Sequence, residues 1–226
     1  MRRKNKRTAS WEIFSGIKVR APLIIRADGR GFKKILERRQ KPYDQDFARS
    51  MAKAASSLFL DSGLSPILAF TFSDEINMLF LEAPFAGRVE KIDSVVAGFL
   101  SSVLSLSLQQ VVCMDCRVIP ICQSEIIDYL KERQDESWRN HVFSYGFYML
   151  LEEGQTPIQA MEQLRGMREH EIHELVFQKG INLAKTATWE RRGILVYRYA
   201  GRLVEDWELP LFKSAEGSEL ICRLIT

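Results

Sequence analysis

The chain has 226 residues, 46% hydrophobic content and a formal net charge of +3, enough apolar material to bury one sizeable core. Its longest nearly uncharged stretch, residues 94–108, falls short of the roughly 20 residues that cross a bilayer and is interrupted by serines, so it reads as a buried helix. No apolar signal core follows the basic start MRRKNKRTAS, so the cytoplasm is the expected compartment, and Cys113, Cys116, Cys122 and Cys222 read as reduced thiols.

In chain order, residues 23–27 form a short apolar strand that Gly29 and Gly31 should terminate. A helix follows over residues 44–60, where Phe47, Met51, Ala54, Ala55 and Leu58 recur at helical spacing, and Gly63 stops it. The runs ILAFTF and INMLFL flank Ser73, Asp74 and Glu75 and predict a hairpin with the acidic pair at its tip. A second helix is expected over residues 91–110 and a strand over residues 117–121. A long helical region spans residues 124–153, with Trp138, Val142, Tyr145 and Met149 on one face, most simply a core or subunit contact. Thr156 and Gln159 make a capping box, Pro157 suits the first helical position and Gly166 closes that helix. Another helix covers residues 169–178, and a C-terminal hairpin turns at Ala200 and Gly201. No repeat or linker divides the chain. The order predicts an α+β fold, an antiparallel sheet with helices largely on one face.

Basic residues cluster: five of the first seven are Arg or Lys, and further groups occur at Lys33 and Lys34, Arg38 and Arg39, and Arg191 and Arg192. Such clusters concentrate positive potential and suit an anionic partner, a nucleic acid or a nucleotide. Asp28 poses a complementary problem, because a carboxylate ending a buried strand needs a cation or donors. If that strand lies beside the hairpin, Asp74 converges on Asp28, and the two repel unless a cation separates them. Magnesium favours oxygen ligands and retains phosphates, and two such ions activate an attacking oxygen and stabilise leaving pyrophosphate. Gly29 and Gly31 let backbone amides approach phosphates, with Lys33, Lys41 and Arg117 as neutralising cations.

The motifs RADGRGF, KPYD and FTFSDEINMLF, followed by CRVIP, YLKERQ, GQTPIQAMEQLRG, HELVFQKGIN and WERRG, resemble in order and approximate spacing the tRNA-His guanylyltransferase family and its wider group of 3′-5′ polymerases. The resemblance covers residues 20–198. It implies a polymerase-like palm over residues 21–122, a helical and hairpin part over residues 123–226 completing a single catalytic domain, and a basic arm over residues 1–20. It further implies that Asp28 and Asp74 bind two magnesium ions with help from the Gly29 carbonyl and support from Glu75. Arg30, Gly31, Phe32, Lys33, Lys41, Asp44 and Ser73 would then surround the nucleotide. Arg133, Arg139, Asn140, Lys179, Arg191 and Arg192 are the candidates for tRNA contact. The implied chemistry activates a tRNA 5′-monophosphate with ATP or GTP, after which the 3′-hydroxyl of an incoming nucleoside triphosphate attacks it. A homotetramer is the implied assembly.

The resemblance has departures. Lys33 replaces a histidine found in many members, and Ile172 stands where many have a lysine. Where members dedicated to tRNA-His often carry His-Ile-Asn-Asn-Leu-Tyr-Asn, this chain has Trp138, Arg139, Asn140, His141, Val142, Phe143 and Ser144. Template-dependent repair of 5′-truncated tRNA therefore stands beside tRNA-His guanylylation as the expected role. A palm-type nucleotide cyclase and a catalytically silent RNA-binding protein are the competing readings. Zinc at Cys113, Cys116 and Cys122 lacks a fourth ligand at suitable spacing. His170 and His173, among glutamates, read as a charged helix face.

Overall fold

The computed structural model describes residues 11–225; the basic run at residues 1–7 lies outside the described residues. Strands β1 (Leu23–Arg30), β2 (Leu68–Phe72), β3 (Glu75–Phe80), β4 (Cys113–Pro120), β5 (Ile194–Tyr199) and β6 (Arg202–Asp206) form one antiparallel sheet ordered β4-β1-β3-β2-β5-β6. Helices α1 (Phe32–Leu36), α2 (Gln45–Leu60), α3 (Val89–Leu108), α4 (Ile126–Glu152), α5 (Pro157–Leu164), α6 (Glu169–Gln178), α7 (Thr188–Arg192) and α8 (Ala215–Ile225) complete the fold.

The strands read as continuous apolar runs because both sheet faces are covered. Leu23, Ile25 and Ala27 of β1, with Ile76, Met78 and Phe80 of β3, pack on α2 and α3. The alternate residues, Ile24, Leu68, Phe70, Leu79 and Leu195, meet Ile126 and Leu130 of α4, Leu209, Phe212 and the α8 residues Leu220 and Ile221. Helices therefore lie on both faces instead of largely on one: α2 and α3 cover one, and α4 and α8 with the segment between β6 and α8 cover the other, because the alternate strand residues are apolar as well. By length and composition α3 would reach across a bilayer, yet Ile92, Val96, Leu100 and Leu104 bury one stripe of it against the sheet. The far half of α4 forms a separate core with α5 and α6 through Val142, Met149, Leu150, Leu164, Ile172 and Val176. The Trp138 stripe therefore holds this helical subdomain together, with Trp138 and Tyr145 at its edge.

Two boundaries differ from expectation in a way that matters for the site. Strand β1 continues through Gly29 to Arg30, because β4 begins at Cys113 and supplies ladder partners for Gly29 and Arg30. Asp28 thus lies within a strand. A built Cβ on Gly29 would come 2.5 Å from the Phe32 ring, so glycine here permits the close turn into α1.

Candidate active site

Register places three carboxylates in a row on one sheet face: Asp115 opposite Asp28, and Asp28 opposite Glu75. The fourth, Asp74, follows Ser73 in the β2–β3 turn, where Ser73 takes a left-handed conformation at φ 50°. The Gly29 amide donates to the Asp74 carbonyl at 3.0 Å, drawing the turn against β1. Burial first, and then the charge of Asp28, push the Asp74 carboxyl above its ordinary range, so the two acids sense one another. Arg26 Nε and Arg117 reach Asp28 Oδ2 at 3.3 and 3.6 Å, and Oδ1 has no partner among the described residues. Arg117 is shared with Asp115, also at 3.6 Å.

Glu75 is committed elsewhere. Arg133 grips it with Nε to Oε1 at 2.9 Å and a second guanidinium nitrogen to Oε2 at 2.8 Å. Asn77 donates to Oε1 at 2.7 Å, and the Tyr129 hydroxyl donates to Asn77 at 2.7 Å. Burial raises the Glu75 carboxyl, against the opposing pull of Asn77 and Arg133.

Beside the turn lies a cavity of about 790 Å³. Ser73, Asp74, Phe32 and Phe47 line it, with Lys33 of α1 and Lys41, Tyr43 and Asp44 of the loop from α1 to α2. One wall is α4 with Asn140, Phe143, Ser144, Phe147 and Tyr148, closed by Trp189 and Glu190 of α7. Lys41 Nζ donates to the Leu36 carbonyl at 2.6 Å and stands 5.1 Å from the Tyr148 ring centre. Asp44 caps α2, accepting from the Phe47 amide at 2.7 Å and the Gln40 amide at 3.1 Å. Burial raises its carboxyl, but these amides and Arg39 outweigh burial and hold it below the ordinary range. Behind the wall, His141 is fully buried against Tyr43 and Tyr145 and within 3.0 Å of the Thr186 hydroxyl. Burial pushes its pKa down to about 3, so it is neutral.

The expected nucleotide residues Phe32, Lys33, Lys41, Asp44 and Ser73 converge on this cavity, whereas Asp28, Gly29, Arg30, Gly31 and Arg117 lie outside its lining. Of the expected RNA contacts, only Asn140 lines it. Among the others, Arg133 is held by Glu75, Arg191 donates to the Thr186 carbonyl at 3.1 Å, and Arg192 to the Leu209 carbonyl at 2.7 Å. Lys179 pairs with Glu153 at 2.6 Å, and Arg139 pairs with Glu136 along its own helix. The aromatic wall and the Tyr43, Trp189 and Glu190 contributions were not anticipated, although Phe143 and Phe147 stand four residues apart in the sequence.

An antiparallel sheet flanked by helices, with Asp28 on one strand and Asp74 in the adjoining turn beside this cavity, defines an α+β palm-like domain. The family model described as tRNAHis guanylyltransferase matches residues 5–129, and that of the Thg1 C terminal domain matches residues 124–218. The chain belongs to the tRNA-His guanylyltransferase family. It is 30% identical over 191 residues to the Drosophila melanogaster protein named "Probable tRNA(His) guanylyltransferase", covering 78% of this chain and 66% of that one. With tRNA(His) guanylyltransferase 1 of Arabidopsis thaliana the identity is 25% over 204 residues, 84% of this chain and 36% of that protein. The chain thus spans between about a third and two thirds of these relatives' length. A bacterial Thg1-like protein solved in complex with ATP superposes with a TM-score of 0.82 at 23% identity, covering 97% of this chain and 98% of that one. The Saccharomyces cerevisiae tRNA(His) guanylyltransferase structure gives 0.73 at 24% identity, over 89% and 95%. These superpositions establish the shared fold.

Proposed function

We propose that this chain adds nucleotides to the 5′ end of tRNA in the 3′-to-5′ direction, with ATP or GTP as activating nucleotide and magnesium at Asp28 and Asp74. The observation that carries the reading is the Gly29 amide holding Asp74 beside Asp28 at the edge of a cavity suited in volume to a nucleotide. The donors fit magnesium: both are carboxylates, Asp28 Oδ1 has no partner among the described residues, and Asp74 is raised by burial and, to a lesser degree, by the charge of Asp28, both of which a divalent cation offsets. When bound, the metal supplies charge neutralisation at the phosphates and makes an attacking oxygen more nucleophilic.

The chain's own residues bind and orient. Lys33 and Lys41 place positive charge on the cavity wall toward a triphosphate, with Lys41 fixed by the Leu36 carbonyl. Phe143, Phe147 and Tyr148 offer a base a stacking surface and exclude water. Arg26 and Arg117 flank Asp28 on the open sheet face, where they stabilise anionic charge that develops at phosphorus. In the first step an oxygen of the tRNA 5′-monophosphate attacks the α-phosphorus of the activating nucleotide, and pyrophosphate leaves. In the second, the 3′-hydroxyl of an incoming nucleoside triphosphate attacks the activated 5′-phosphorus, and a nucleoside monophosphate leaves.

The departures at Phe143 and Ser144 fall on the cavity wall, which supports repair of 5′-truncated tRNAs over strict tRNA-His selection. An extension assay with magnesium, ATP and labelled nucleotides compares full-length tRNA-His with a non-His tRNA lacking its first nucleotide. Templated filling of the truncated tRNA is expected; extension of tRNA-His alone would assign the narrower role, and extension of neither would overturn the reading. A cytoplasmic homotetramer belongs to the same proposal, and light scattering of the purified protein tests the assembly.

A further inference from the structure

Because Glu75 and the Thr186 and Leu209 carbonyls already engage Arg133, Arg191 and Arg192, the cations near the site that remain free for an RNA backbone are others. Arg39 and Lys41 are also engaged, by Asp44 and by the Leu36 carbonyl. Arg30, Lys34 and Arg38 are different. All three are exposed, and among the described residues their side chains form no ion pair and no hydrogen bond.

Their placement is set by the turn from β1 into α1. Arg30 ends β1 two residues beyond Asp28, and Gly31, at φ 74°, swings the chain into the helix. Glu37 extends the last turn of α1, its amide donating to the Lys33 carbonyl at 3.0 Å. Residues four apart on such a turn stack on one side, so Lys33 and Glu37 share one side and Lys34 and Arg38 the adjacent side. Lys33 and Glu37 line the cavity; Arg30, Lys34 and Arg38 do not. The cavity lip is therefore two-sided, with a cation turned toward the nucleotide and a row of unpaired cations turned outward.

We infer that Arg30, Lys34 and Arg38 form a phosphate-binding ridge that holds the backbone of the RNA whose 5′ end enters the site. The inference rests on the tRNA reading above and deepens it. A mononucleotide in the cavity has its phosphates next to Lys33 and Lys41, so it does not need cations on the outer lip. A polynucleotide approaching the carboxylate pair runs past that lip, and each phosphate it neutralises there releases counterions.

The test is equilibrium binding of fluorescent tRNA to the full chain in magnesium-free buffer across a salt series, for the wild type and for Lys34→Glu/Arg38→Glu. ATP affinity is measured in parallel, and thermal unfolding checks the fold. The ridge predicts roughly tenfold or greater loss of tRNA affinity, with the salt slope shallower by about 2 and ATP affinity retained. Unchanged tRNA affinity and slope would overturn it, as would equal loss of ATP and tRNA binding, which would assign these residues to the cavity. If the reversal variant unfolds, Lys34→Gln/Arg38→Gln is read by the same slope. Binding is scored without turnover, so a wild type that binds tRNA through the ridge yet transfers nothing would sink the enzyme reading alone.

Discussion

Glu75 is 9% exposed and Arg133 reaches it from 58 residues away in sequence, so neither charge is free to serve a ligand. Removing one partner leaves the other buried and uncompensated. Arg133→Met is therefore expected to lower unfolding free energy by about 3 kcal/mol in urea titration, and adding Glu75→Gln should restore part of the loss. A single variant as stable as the wild type would contradict the pairing. Asp44 works similarly at the start of α2, where Asp44→Ala should cost about 1 kcal/mol through loss of the cap. Its folded pKa lies below the ordinary value, so the stabilisation is present above about pH 4 and lost as pH falls through the folded pKa. Thermal unfolding at neutral and acid pH should show the gap between wild type and Asp44→Ala closing in acid; a constant gap would show that the ionised carboxylate is not the cap.

At the scale of elements, legibility followed the range of the interactions. The capping box of α5 was readable because Thr156 and Gln159 are three residues apart, and the structure closes it with 2.9 and 3.3 Å bonds. The hairpin with Asp74 in its turn was readable from two apolar runs around three polar residues. Gly29 misled because a glycine in a strand reads as a stop, whereas the β4 partner that carries β1 onward lies more than 80 residues later. The short helices α1 and α7 have too few turns for periodicity to show, and α7 supplies the closing wall of the cavity. Gly193 joins α7 to β5 at φ 75°, and a built Cβ would come 2.5 Å from the Phe70 ring and 2.8 Å from the Thr71 carbonyl. Gly193→Ala should consequently lower the melting temperature and weaken nucleotide binding, because Trp189 and Glu190 move with the joint. Calorimetric titration with ATP beside a melting curve checks both effects; an unaltered variant would mean the joint does not position the wall.

For the molecule as a whole, the sheet does two jobs on two faces. One face buries the apolar residues that hold α2 and α3, while the other is apolar beneath α8 and polar toward Asp115, Asp28 and Glu75. The α+β class, the strand and hairpin that bear Asp28 and Asp74, and the family were legible because they depend on local pattern and motif order. The aromatic wall and the partners of Arg133 and Arg192 were not, since they arise only when α4 and α7 meet the rest of the fold. The central claim is that the Asp28 and Asp74 pair carries nucleotide transfer while the cavity holds the nucleotide. The most direct measurement is single-turnover transfer to a 5′-monophosphorylated tRNA by Asp28→Ala and Asp74→Ala, with ATP binding measured in the absence of magnesium. Transfer should be lost in both variants while ATP binding and melting temperature are retained; transfer at the wild-type rate in either variant would contradict the account.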